Sequence, residues 1–331
     1  MLYTHFTEEL LGLQGVKITN IENSKKSITV YAELGYCGDW QSLYPEKYCL
    51  TELAPWKLFC IPIAGSIADF SFPTIKVSAI ADKIGRAVGQ RCINKTWIPD
   101  GLKDMPASRF SYRENLMDSL DKMFADSFDQ TYSGDVLEGK LFGIGVESFT
   151  VGSHELYMGY AVKHGLGICL DTGHFYPTES VADKISAYMP YVSPLLLHVS
   201  RGIRWDSDHV VVQGDELQGI MNEIKRGDLF GKVYIGLDYF DASINRIAAW
   251  TIGLRAASKS MLTALLEPSD MIIKSEQEGD FTTRLALMDE VKNLPAEAVW
   301  NMDCLRKGVP VAFDYLKEIK AYERDVLSNR D

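Results

Sequence analysis

Gly167-Ile-Cys-Leu-Asp171-Thr-Gly-His174 is a short apolar run that stops at a carboxylate, a glycine turn and an imidazole. A short apolar run bounded by turn formers suits a strand buried on both faces. Gly173 lets the chain turn at the strand's C-terminal end, so Asp171 and His174 can be aimed at one place. The pattern recurs along the chain. Val136-Leu-Glu138-Gly-Lys140, Leu195-Leu-Leu-His198-Val and Ile235-Gly-Leu-Asp238 each bring an apolar run to a metal-type ligand, and Trp205-Asp206-Ser-Asp208-His209 follows the second of these. When successive strands carry such groups at the same end, a (β/α) barrel gathers them on one face, where it builds its active site.

Around these runs the sequence alternates. Strands are predicted at 92–98, 136–144, 167–171, 194–200 and 232–238, with amphipathic helices at 113–125, 153–162, 178–188 and 215–225 between them. That alternation specifies α/β architecture with a parallel sheet. A long apolar helix is predicted at 244–266, closed by Pro268, followed by polar helices at 281–292, 296–305 and 312–327. Residues 1–83 show β-like stretches at 27–34 and 57–63 but no sustained periodicity. The expected organisation is therefore an N-terminal segment 1–83 contributing partial barrel strands, a metal-binding barrel portion 84–266 and a helical extension 267–331.

Composition narrows the class. The 331 residues carry a formal net charge of −11, with Lys and Arg unclustered, which disfavours a nucleic-acid partner. Six cysteines without a Cys-x-x-Cys pair read as reduced thiols of a cytoplasmic protein rather than a disulfide framework. The start lacks a basic signal region, and the most apolar stretch, 58–70, is short and broken by Pro62, so neither export nor a membrane span is expected.

Spacing carries the chemistry. Side chains at i and i+2 of a strand share a face, so Glu138 and Lys140 look the same way, as do Asp206 and Asp208 if the chain is extended there. The seven candidates Glu138, Asp171, His174, His198, Asp206, Asp208 and Asp238 are carboxylates and imidazoles without a thiolate. Such a set suits Mn²⁺, Mg²⁺, Co²⁺ or Zn²⁺, and it exceeds the need of one ion. Two ions sharing a carboxylate would polarise oxygens on adjacent carbons of a substrate. Singly, each group has a plain structural reading: His198 as a core histidine, Glu138 with Lys140 as an ion pair, Asp171 as a helix cap, Asp206 and Asp208 in a solvated turn. Their joint arrival at the same end of consecutive runs argues for a site. His154, His164, His209, Glu147 and Glu155 lack such placement and read as structural.

The blocks Trp97-Ile-Pro-Asp-Gly-Leu-Lys-Asp104, Lys140 to Glu155, Leu170 to Glu179, Leu195 to Arg201, Arg204 to Val210 and Ile235 to Trp250 together resemble the L-rhamnose isomerase family, from about residue 84 to the C-terminus. The resemblance implies a (β/α)8 TIM barrel of the xylose isomerase type, a homotetramer, and a small-molecule sugar substrate. It implies two divalent ions, Mn²⁺ foremost with Zn²⁺, Co²⁺ or Mg²⁺ as alternatives. Glu138, Asp171, His198 and Asp238 would hold the structural ion, and His174, Asp206 and Asp208 the catalytic one. Lys140 would meet the sugar's reactive oxygen end, with Trp97 as an apolar wall. Near Asp238 a metal-bound water would move the hydroxyl proton while hydrogen passes as hydride between C1 and C2, interconverting L-rhamnose and L-rhamnulose.

Residues 1–83 depart from the family pattern, with Trp40-Gln-Ser-Leu-Tyr-Pro45 a faint echo of a third strand end. The expectation is a barrel incomplete at its N-terminal strands, with ligands present and turnover weak or absent. Two other readings compete. A catalytically impaired remnant or assembly partner could retain the scaffold, and a barrel-type metal-dependent phosphodiesterase could use similar ligands but would want a basic channel.

Overall fold

A computed structural model describes residues 16–24, 27–34, 48–50 and 77–330, apart from 99–100, 142–147, 205, 240 and 242. The predicted stretch 57–63, the apolar run 58–70, the Trp40–Pro45 echo, Glu147 and Trp205 lie outside the described residues. The chain divides into two compact units, residues 1–169 with 192–196, and residues 170–191 with 197–331.

The first unit holds two sheets. Strands β1 (Val16–Ser24), β2 (Ser27–Leu34) and β3 (Tyr48–Leu50) pair antiparallel in the order β1-β2-β3. Segment 1–83 was expected to supply barrel strands; its described strands instead pair with one another in a separate antiparallel sheet. Helix α1 (Val77–Val88) then runs across the expected boundary at 83/84, which therefore does not separate structural elements. After it come β4 (Cys92–Thr96), α2 (Arg109–Met123), β5 (Ser133–Glu138) and α3 (His154–His164). Strands β4 and β5 are parallel with Cys92 opposite Ser133, and β5 is parallel to β6 (Gly167–Asp171) with Glu138 opposite Cys169. The predicted run 136–144 thus begins earlier, at Ser133, and ends on Glu138. Gly167 is required by close backbone approach: a Cβ there would lie 2.1 Å from the Pro194 carbonyl oxygen and 2.7 Å from Val136. Ser108 caps α2 by accepting from the Ser111 amide, and Gly165 closes α3 in the left-handed region at φ 68.

In the second unit the order is β6, β7 (Leu195–Val199) and β8 (Val233–Leu237), the first two strands entering it from the first unit. The Thr172 amide donates to the His198 carbonyl and the Asp238 amide to the Val199 carbonyl, so the ends of these strands are held level. Helices α4 (Val181–Tyr188) and α5 (Asp215–Arg226) flank β7 in sequence. Every residue of β6 and β7 is buried, as their unbroken apolar runs required. Amphipathic α5 turns Leu217, Ile220, Met221 and Ile224 inward.

The predicted helix at 244–266 is α6 (Arg246–Leu266), capped by Asn245, whose side chain accepts from the Ala248 amide. Its buried side is almost entirely Ala, Gly and Ser. A helix that the periodicity did not mark, α7 (Ser269–Gln277), follows directly. Then come α8 (Phe281–Glu290), α9 (Ala296–Lys307) and α10 (Tyr315–Asp325), each close to its predicted place. The architecture is α/β, a parallel-strand sheet with intervening helices. No helix among the described residues is long and apolar enough to cross a membrane.

Candidate metal centre

The second unit assembles six of the predicted ligands. Asp171 ends β6 and His198 sits within β7, both 2 % exposed. Asp238 follows β8 directly. His198 Nδ1 lies 2.9 Å from Asp238 Oδ2 and 3.7 Å from Asp171 Oδ2. Asp171, His198 and Asp238 offer ligand atoms within 4.8 Å of one another, and so do Asp171, His174 and Asp206. Asp171 belongs to both sets, the arrangement a bridging carboxylate needs.

The Asp-Thr-Gly-His turn behaves as its residues dictate. Asp171 Oδ1 accepts from the Gly173 amide at 2.7 Å, and the His174 amide donates to the Asp171 carbonyl at 3.1 Å. That closure brings His174 Nε2 to 3.0 Å from Asp206 Oδ2. Asp171 is therefore no helix cap; it fastens its own turn.

Asp206 and Asp208 arrive on a loop folded back on itself. Arg201 and His209 form an antiparallel bridge, and the Ser207 hydroxyl meets both the Ile203 amide and His209 Nδ1. The condition for a shared face, an extended chain at Asp206–Asp208, is not met: Asp208 sits at φ 46, in the left-handed region. The two carboxylates consequently do not share a strand face. Asp206 joins a ligand set, whereas Asp208 lies outside both and interacts with Asp206. Burial, reinforced by the neighbouring charges of Asp206, Asp171 and Asp238, pushes the Asp208 carboxyl up to about 7.

So many carboxylates in partly dry surroundings repel one another unless a cation is among them. Their hard oxygen and imidazole donors, gathered in two sets sharing Asp171, fit divalent ions. His209 is engaged by Ser207 and His164 stacks on Tyr160, both in the structural roles expected of them.

The first unit carries the remaining candidates. Glu138 is 2 % exposed at the end of β5, and its Oε2 lies 2.5 Å from Nζ of Lys95 on β4. Lys140 Nζ is 4.6 Å from the centre of the Trp97 ring and Lys95 Nζ is 5.8 Å from it. Gly139 between the two charged residues is obligatory, since a Cβ there would come within 2.7 Å of His154 Nδ1. Lys95 is the residue that the sequence reading missed. A lysine inside a predicted strand, two before an aromatic residue on the same face, was the available signal.

The profile of the family described as L-rhamnose isomerase (RhaA) matches residues 64–330. The chain belongs to the L-rhamnose isomerase family. The match begins some way before residue 84, so the resemblance extends further forward than the sequence blocks suggested. Over 251 residues, 76 % of the chain, it is 57 % identical to the L-rhamnose isomerase of Rhodopirellula baltica and 54 % identical to that of Mannheimia succiniciproducens. The L-rhamnose isomerase of Listeria innocua is 51 % identical over the same length. The chain spans 59–60 % of the length of these curated relatives.

Proposed function

We propose that this chain carries the aldose–ketose isomerisation of L-rhamnose to L-rhamnulose. The observation that carries the reading is Asp171, whose carboxylate stands in two ligand sets at once. Family membership supports it, as do the names of the relatives.

In this reading Glu138, Asp171, His198 and Asp238 hold one divalent ion, and His174, Asp206 and Asp208 hold the other. Manganese is the ion we assign, with Zn²⁺, Co²⁺ and Mg²⁺ as alternatives. When bound, the ions polarise the oxygens on two adjacent sugar carbons and offset the negative charge that develops there. Lys140 places its ammonium where the O1 end of the open-chain sugar becomes negative. Trp97, whose ring faces that ammonium, gives the sugar an apolar wall. Asp238 is the most exposed carboxylate of its set, at 34 %. It accepts the O2 hydroxyl proton and returns a proton to O1, while hydrogen passes from C2 to C1 with its electron pair. Atoms and electrons balance without a co-reactant. A TIM-type barrel incomplete at its N-terminal strands, a cytoplasmic setting and, where the barrel is complete, a homotetramer belong to the same reading through the family.

Elemental analysis of the Mn²⁺-loaded chain, with and without Asp206→Asn, tests the proposal alongside a ketose assay on L-rhamnose. Two ions per chain falling to one, together with loss of ketose formation, is the expected result. A chain that retains no metal, or that forms ketose after complete chelation, overturns it.

A further inference from the structure

Lys95 brings its ammonium to one oxygen of Glu138. Strands β4 and β5 run parallel with Lys95 opposite Val136. Side chains two apart on a strand share a face, which puts Glu138 with Val136 on β5. Lys95 is 7 % exposed and Val136 is fully buried. The ammonium therefore reaches Glu138 through dry surroundings, stopping 2.5 Å from Oε2. It also stands near the Trp97 ring, which faces Lys140 as well.

A buried carboxylate requires compensation, and an ammonium supplies it as opposite charge. A carboxylate also has two oxygens, and one that is gripped at Oε2 can neither rotate freely nor offer both oxygens to the same ion. We infer that Lys95 is a positioning residue for the metal centre: it fixes Glu138 by Oε2, so that the carboxylate presents Oε1 as a single-oxygen ligand. The inference rests on the assignment of Glu138 as a ligand made above. Partners that orient a metal ligand commonly control affinity by about 10- to 100-fold, and that is the effect expected here.

The test is a double-mutant cycle read by Mn²⁺ affinity, with free Mn²⁺ followed by its electron paramagnetic resonance signal. The chains compared are the parent, Lys95→Met, Glu138→Gln and the double variant. Lys95→Met should weaken one Mn²⁺ site by at least about 10-fold, and in the Glu138→Gln background the same change should have almost no effect. Lys95→Gln, which keeps a donor toward Oε2, should retain more affinity than Lys95→Met; it also replaces Lys95→Met in the cycle if that variant does not fold. Parent-like affinity in the Lys95 variants overturns the inference, as does an equal loss with and without Glu138. A parent chain that binds no Mn²⁺ instead brings down the metal assignment itself, so the two failures are told apart.

Discussion

Gly173 and Asp206 are in such close apposition that a Cβ built on the glycine would lie 2.4 Å from Asp206 Oδ1. The obstruction is the end of a side chain rather than backbone, so Gly173→Ala can be accommodated by moving Asp206. That movement breaks the approach of Asp206 to His174. Gly173→Ala should melt within a few degrees of the parent yet lose about 10- to 100-fold in Mn²⁺ affinity at the proposed site that includes Asp206. Mn²⁺ titration and thermal denaturation check this, and unchanged binding would count against Asp206 as a ligand.

Asp135 gives a pH dependence outside the metal centre. Burial raises its carboxyl above the ordinary range, although hydrogen bonds from Asn94 Nδ2 at 2.7 Å and Ser78 Oγ at 2.8 Å pull the other way. An acid whose folded pKa exceeds its unfolded value binds more protons when folded. Its contribution to stability is complete below the unfolded value of about 3.9 and is lost as pH rises through the folded pKa. Asp135→Asn keeps an oxygen for both donors without the charge. Relative to the parent, the variant should gain stability as pH rises above about 4, then level off. Denaturant midpoints across the acid range measure this, and a pH-independent difference would contradict it.

Tyr239, immediately after Asp238, is 5 % exposed and packs against α6, where a Cβ on Gly253 would fall 1.9 Å from its hydroxyl oxygen. Alanine favours a helix interior over glycine by about 1 kcal/mol, but overpacking a buried ring costs about 1–3 kcal/mol. The clash should win. Gly253→Ala is expected to lower the melting temperature, and adding Tyr239→Phe should recover part of the loss because the nearest atom is removed. A single variant more stable than its parent would refute this packing account.

Arg226 binds Glu267 through two hydrogen bonds, at 2.8 and 2.6 Å, and the Ser269 hydroxyl adds a third. Burial alone would raise the Glu267 carboxyl, yet the Arg226 fork and the Ser269 hydroxyl together hold it below the usual carboxylate range. Arg226→Met leaves a buried charge without its partner and should cost about 3 kcal/mol or more. Adding Glu267→Met should restore most of it. Chemical denaturation of the single and double variants decides the matter, and equal losses in both would show that the charge pair is not the source.

Strand positions and the candidates for a ligand role were legible because both are local. Leu195-Leu-Leu-His198-Val is buried throughout and so reads as one apolar run, and Gly173 marks its own turn. Helix α7 was not legible, since it begins directly behind Pro268 and its apolar side is short. Whether Asp206 and Asp208 share a face was left to the backbone, and in a loop bridged by Arg201 and His209 Asp208 takes φ 46, a conformation that residue spacing does not encode. Lys95 was overlooked for a related reason: a lysine in a strand gains meaning only when the residue across from it is known.

By itself the sequence determined which side chains are available as ligands, that Glu138, Asp171 and Asp238 stand at strand ends, and the L-rhamnose isomerase family to which the chain belongs. Only the tertiary structure decided that Asp171 is shared between two ligand sets, that Lys95 grips Glu138, and that Asp206 and Asp208 part company. Periodicity and turn chemistry act over a few neighbouring residues, whereas Coulomb and coordination forces act through space and depend on distances of a few ångströms. Those distances are set only when packing brings distant parts of the chain together.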